Sequence, residues 1–386
     1  MLSGLLPEVA DDLQVSIPTA GLLISAFAIG MVVGAPVLAA ATRRMPQRLT
    51  LVGMLAVFAL GHLAGALAPT YAVLFASRVV SALACAGFWA VGAGVAVSLA
   101  PANARARAMA VLLGGLSIAN ISGVPAGALL GQHLGWRAAF WAVALLAALA
   151  LAGVLAFVPR TLPGSPQSGG ALSRELRAYR EGRVWLAVVT ISLFSAGCLC
   201  FFSYLAPILT EVTGLGEGWV PTVLVLYGLG ALGGTALGGR LTDAHMFGTL
   251  YSGLGAAAAV LGLAALGLHS AWLLVPLCGL FGLCAFLCSP GLNTRVFDVL
   301  GGTAPTLAGA TATSAFNAGN TVGPWAGGLA IDAGLGYVWT AWLGALFLLA
   351  AAGCVWLQSR TRGREIVVAV GNAPVSRSAA ATHPGH

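Results

Sequence analysis

From Ile17 to Leu357 the chain is a succession of apolar runs separated by short polar breaks. About 20 apolar residues in helical form cross the hydrocarbon of a bilayer. Eleven runs of that length can be set out: Ile17–Ala41, Leu49–Ala68, Tyr71–Leu99, Ala106–Leu130, Ala138–Val158, Val184–Leu209, Val220–Leu241, Thr249–Leu268, Trp272–Leu292, Thr306–Asp332 and Val338–Leu357. Inside lipid each backbone polar group must be satisfied within its own segment, so runs this long are helices. Charged residues make up only 8% of the 386, far below the roughly 25% of soluble domains. An all-α integral membrane protein follows.

The helices must then pack on one another without help from the hydrophobic effect, and small residues supply the means. Gly115, Ala119, Gly123, Gly127 and Gly131 recur every four residues, a side-chain-free ridge over about 24 Å of helix rise. Pro125 lies within it and removes one backbone hydrogen bond. Two hundred residues on, Ala315, Gly319, Gly323 and Gly327 repeat the ridge, and Asn320 repeats Asn120. Gly30 and Gly34 likewise map onto Gly230 and Gly234. A period of this length excludes a solenoid. It is the length of half a transporter, in which two similar halves face a central site.

The polar run Pro159–Arg183 divides the chain near its middle. The expected organisation is therefore a first transmembrane half, 1–158, a linker, 159–183, a second half, 184–357, and a polar, disordered tail, 358–386. The linker opens on a Pro/Gly/Ser stretch and closes on a basic stretch, a short interfacial helix or a solvated loop.

A net charge of +7 in a soluble chain would suggest nucleic acid; here its placement says otherwise. All 18 basic residues are Arg. Sixteen fall in alternate loops, at the span ends beside them or in the tail, Arg137 lies on the other side, and Arg78 alone lies deep within a span. This is the bias that sets membrane orientation, and it places those loops and the C-terminus in the cytoplasm. Without Lys there is neither a nucleotide-binding P-loop nor a pyridoxal Schiff base. Active transport by this chain would draw on an ion gradient or on another subunit, and no cofactor is expected.

Gly228, Gly230 and Gly233 spell GxGxxG, but mid-span with no strand before them, so they read as helix packing. None of the seven Cys has zinc-type spacing, and no metal site is expected. His62 lies in a span, where a proton relay and a hydrogen-bonded core histidine are both open.

Several stretches together resemble the major facilitator superfamily, in particular its twelve-helix drug:proton antiporters and their branch of bacterial chloramphenicol-resistance exporters. These are the ridge with Gly123-Val124-Pro125-Ala126-Gly127 and Gly135-Trp136-Arg137, the opening LSGLLPEVADDL, and RVVSALACAGFWAV at Arg78–Val91. The resemblance implies two six-helix halves, with the eleven spans as helices 2 to 12 and Met1–Leu6 as a stump of helix 1. It implies a multi-pass protein of the bacterial inner membrane, not an enzyme, acting as a monomer on a small-molecule drug and protons. Helices 2, 5, 8 and 11 would line the contact between halves, through Gly115, Asn120, Gly123, Pro125, Gly127, Gly319, Gly323 and Gly327. Arg43, Arg44, Arg48 and Asp243 fall where the family has its gating loops, although Arg43 stands where that pattern has an acid. Arg78 would carry proton coupling. A charge mid-span costs about 2.5–3.5 kcal/mol even on a mild scale. Phe88, Trp89, Phe201 and Tyr204 fall on helices that line the family's substrate cavity, where aromatic rings suit a neutral aromatic drug.

Val184–Leu209 is a full span, yet its repeat image at the N-terminus is a stump, and no acid stands deep in any span to partner Arg78. The natural start is therefore expected about 20 residues upstream, one span's length. The alternative is an eleven-span protein with His62 as the coupling group. Export of a sugar or nucleoside by the same fold is the nearest rival function; a membrane-embedded enzyme or a passive channel is disfavoured.

Overall fold

The computed structural model describes residues 2–41, 45–99, 105–159, 178–300 and 305–371, and among these all regular structure is helical. A short helix, α1 (Leu6–Asp12), precedes α2 (Ile17–Ala41), α3 (Gln47–Ala66), α4 (Tyr71–Leu99), α5 (Arg105–Leu134) and α6 (Trp136–Phe157). The second half opens with α7 (Gly182–Phe202). A 48-residue helical run, Trp219–Leu266, follows and breaks at His245. Its arms are α8, residues 219–244, and α9, residues 246–266. Then come α10 (Ala271–Leu300), α11 (Pro305–Asp332) and α12 (Val338–Gly371). The helices from α2 to α12 account for the eleven expected spans.

Three boundaries differ from the sequence expectation for physical reasons. The α8–α9 connection is one non-helical residue, His245, not a loop from Leu241 to Thr249. Pro207 lacks an N–H; α7 stops at Phe202, and the chain continues through a turn at Leu205–Pro207 into a π-turn at Ile208–Val212. At the C-terminus the helix runs on to Gly371, with the Arg360 guanidinium 3.8 Å over the Trp356 ring. Residues 358–371 are thus helical, not an unstructured tail.

The small residues let backbones meet, as expected, but within each half. A Cβ on Gly30 of α2 would stand 2.6 Å from Ala82 Cβ of α4. Gly230, Gly234 and Gly238 of α8 sit against the carbonyls of Gly279, Leu283 and Leu287 on α10. Gly319 and Gly323 of α11 sit against the carbonyls of Ser192 and Ala196 on α7, and Gly327 against Tyr204 and Cys200. Assigning Gly319, Gly323 and Gly327 to the contact between halves is therefore corrected: that face of α11 is occupied by α7 of its own half.

The halves meet elsewhere on the same helices. α2 packs on α11, where Ser25 Oγ donates to the Thr321 carbonyl at 2.9 Å. α5 packs on the Trp219–Leu266 run, and Gln132 Nε2 donates to the Glu217 carbonyl at 2.6 Å. Outward-facing Leu, Val and Trp cover the exterior, Trp272 at 94% exposure being the extreme. On a soluble protein such a surface would drive association; on a bundle of spans it meets lipid.

Candidate functional site

A cavity of about 340 Å³ lies at the meeting of the halves. The first half contributes Ile24, Phe27 and Ala28 from α2, Phe58 and His62 from α3, Arg78 from α4 and Val143 from α6. The second contributes Leu199 from α7 and Asn317 and Asn320 from α11, and Leu2 closes one side. The wall is thus mostly apolar with a few polar groups, the usual make-up of a small-molecule site.

Arg78 is the one formal charge among the described residues that line the cavity. Its guanidinium stands 4.4 Å from the centroid of the Phe27 ring and 5.9 Å from that of Phe140. Its Nε is sealed from solvent with no hydrogen-bond partner among the described residues. No carboxylate lines the cavity among the described residues. The aromatic faces partly compensate a desolvated cation. A ligand presenting acceptor oxygens would satisfy the remaining N–H groups.

His62 stands one helical turn after Phe58 on the same face. Its Nδ1 lies 2.9 Å from the Phe58 carbonyl, so Nδ1 carries the proton and Nε2 keeps the lone pair. The ring packs against Phe58 at 4.3 Å and Phe140 at 5.9 Å. On the opposite wall Asn320 Oδ1 accepts from Ser195 Oγ at 2.5 Å, and Asn317 Nδ2 donates to the Thr313 carbonyl at 2.9 Å. Both amides are held in place by their neighbours.

The structure brings Arg78 and His62 together, but the four aromatics chosen from the sequence stand elsewhere. Phe201 is buried edge-on against Phe281 at 5.8 Å. Tyr204 is fully buried, its hydroxyl donating to the Pro324 carbonyl at 2.7 Å. Trp89 packs on Met31, Ala82 and Ala86, and Phe88 lies beside Gly92 along α4. The cavity rings are Phe27 and Phe58. Phe58 carried a usable signal, its i, i+4 spacing from His62; Phe27 is the one aromatic on α2, but nothing in the sequence fixes which way that face of the helix turns.

Arg48 Nη2 donates to the Leu155 carbonyl at 2.6 Å, joining the start of α3 to the end of α6. Asp243 is exposed, two residues before the break at His245, with no bonding partner among the described residues. Arg43, Arg44 and the side chain of Asn120 lie outside the described residues. Pro125 and Gly127 are buried in α5. A Cβ on Gly115 or Gly123 meets no atom within 4 Å among the described residues.

Residues 1–313 match the sequence model of the Major Facilitator Superfamily. The chain belongs to that superfamily. A chloramphenicol resistance protein of Streptomyces lividans is 40% identical over 354 residues, covering 91% of this chain and 90% of the relative. An inner membrane transport protein of Escherichia coli K12, YdhP, is 34% identical over 377 residues, covering 95% and 93%. Among solved structures, a bacterial homologue of the lysosomal transporter Spinster superposes with a TM-score of 0.73 at 18% identity, covering 93% of this chain and 92% of that one. The human organic anion transporter MFSD10 superposes at 0.65 with 19% identity, covering 92% and 89%. This is a multi-pass transporter of the superfamily, and its bacterial relatives imply the inner membrane.

Proposed function

We propose that this transporter exports chloramphenicol or a similar small amphiphile in exchange for protons. The observation that carries the reading is the cavity itself: apolar and aromatic walls from both halves, with one unpaired cation and two oriented amides. A small aromatic drug with nitro, hydroxyl and amide groups would stack near Phe27 and Phe58 and offer acceptors to Arg78. Rocking of the halves about this site would expose it to each side in turn. Arg78 with His62 is the group through which proton binding would bear on the cavity. The distribution of Arg supports cytoplasmic Arg-rich loops and a cytoplasmic C-terminus. The protein would act as a monomer, with the proton gradient as its energy source and no bound cofactor.

Accumulation of labelled chloramphenicol in cells with and without the protein tests the reading, with a protonophore added at steady state. Lower accumulation that the protonophore abolishes is expected. Lowered accumulation that ignores the protonophore would make the protein a passive pathway. No effect on chloramphenicol, with efflux of a sugar or nucleoside from the same cells, would move the substrate to that rival class.

A further inference from the structure

Glu8 is a carboxylate that the transport reading leaves without a role. It sits on α1, which lies between the halves. Leu5, Leu6 and Val9 around it are fully buried. α1 touches α2 of the first half and the Leu205–Pro207 turn of the second. In the turn just before it, a Cβ on Gly4 would stand 2.9 Å from Ala128 Cβ of α5 and 3.2 Å from Leu224 Cδ1 of α8. Glu8 is half-buried: its carboxylate accepts from its own backbone N–H, while Oε2 is sealed from solvent with no hydrogen-bond partner among the described residues. Opening this end of the molecule would part α1 from one half and wet that oxygen.

The charges around it offer no counter-ion. Glu217 lies nearest in effect, a like charge on the segment whose carbonyl receives Gln132 across the halves. Arg137 is engaged by Asp12. Asp11, His133, Glu211, Asp332, His269, Tyr71 and Tyr337 also lie at this end, and none is bonded to Glu8 among the described residues.

We propose that Glu8 is a proton-operated latch between the halves: its carboxyl holds a proton while this end is closed and releases it to water as the end opens. A carboxylate oxygen sealed from water without a partner is costly, and protonating the carboxyl reduces that cost. Closure and protonation are therefore linked, each favouring the other. Burial raises the Glu8 pKa above its ordinary value in the closed form, against its own backbone N–H, which lowers it, and with a smaller upward push from the Glu217 charge. The sign follows: closure is favoured at low pH and weakens as pH rises through the closed-state value. The proton released is exchanged with the side onto which this end opens, so the latch reads the pH of that side and is separate from the proton at Arg78 and His62.

The inference rests on the reading that the halves rock, and the test separates the two. Spin labels on Thr70→Cys and Gly216→Cys, exposed positions on different halves, would be placed in a cysteine-free background and the full chain reconstituted in lipid nanodiscs. Their separation would be measured from pH 5 to pH 8, with and without chloramphenicol. With Glu8 intact, the distance distribution should shift to longer values as pH rises. Glu8→Gln should lose that shift and stay short throughout, and Glu217→Gln should move the transition to lower pH. A Glu8→Gln protein that lengthens with pH as its parent does would overturn the latch. So would a parent whose distance answers chloramphenicol but not pH, with the transport reading intact. Absence of chloramphenicol efflux from cells, beside a Glu8-dependent shift, would overturn the transport reading and support the latch.

Discussion

Gly123 and Gly323 stand at matching places in the two halves, 200 residues apart, and their surroundings are opposite. A Cβ on Gly323 would lie 2.5 Å from the Ala196 carbonyl oxygen and 2.9 Å from the Cys200 nitrogen, both on α7. A Cβ on Gly123 meets no atom within 4 Å among the described residues. The ridge is thus filled at Gly323 and clear of the described residues at Gly123. At the far end of the first ridge, Leu5 fills the space beside Gly131.

That contrast predicts unequal costs for the same substitution. Gly323→Leu forces a branched side chain into backbone and should cost at least about 1–3 kcal/mol, enough to lower the melting temperature clearly or prevent folding. Gly123→Leu should leave it nearly unchanged. Thermal unfolding of both variants in detergent checks this, and an equal loss at Gly123 would show that another helix lies on that ridge.

Phe27 and Phe201 separate binding from stability. Phe201→Ala empties a packed site beside Phe281 and should cost about 3–5 kcal/mol, read as a fall in melting temperature. Phe27→Ala should leave stability closer to the parent and weaken chloramphenicol binding severalfold, since it removes a cavity wall and the ring under Arg78. Ligand-binding titrations beside melting curves distinguish the two. A Phe27 variant with full affinity would remove that ring from the site.

The fold was legible because its causes are local. Span-length apolar runs and the absence of lipid-soluble alternatives to the helix dictate the elements, and a 200-residue echo of Gly319 and Gly323 dictates two halves. Arg78 was legible for the same reason, a charge where charge is expensive. The wall of the cavity was not. Whether Phe27 or Phe201 faces it depends on how α2 and α7 are rotated in the bundle. That rotation is set by which ridge meets which backbone, information spread over distant residues. The glycine ridges show the same limit: their spacing revealed close packing but not that α7, rather than the other half, is the neighbour of α11.

Asp12 and Arg137 tie the end of α1 to the start of α6. Asp12 Oδ2 receives the Arg137 guanidinium and, at 3.1 Å, Trp136 Nε1, while Arg137 Nη2 also donates to the Ala68 carbonyl at 3.1 Å. The Arg137 hydrogen bond, with help from Trp136, holds the Asp12 pKa below its ordinary 3.8. A depressed carboxylate stabilises above its unfolded-state pKa and loses that contribution as pH falls through the folded-state value. The pair is largely exposed, so the gain is small and screened by salt. Melting curves of Asp12→Asn and its parent should therefore differ slightly at neutral pH and low salt, and converge below pH 3.8. A difference that persists in acid would mean that the asparagine acts through something other than lost charge.

The last prediction concerns which way the bundle sits. Arg48 binds the Leu155 carbonyl, so the start of α3 and the end of α6 share one end of the first half. The Asp12, Arg137 and Ala68 contacts put the end of α1, the start of α6 and the end of α3 at the other. In the second half, Gln132 of α5 reaches Glu217 ahead of α8, which sets that loop at the Asp12 end. These contacts fix which loops go together whatever the orientation, and the Arg bias then chooses the side. Reporter fusions after Arg48, Arg107, Arg180, Arg240 and Arg360 should all read cytoplasmic, whereas those near Asp12, Thr70, Gln132 and Gly216 should read external. A uniform reversal would overturn the orientation and leave the bundle intact. An external signal at Arg180 alone would break the pairing of halves, because α6 and α7 could not then flank a linker on the Arg-rich side.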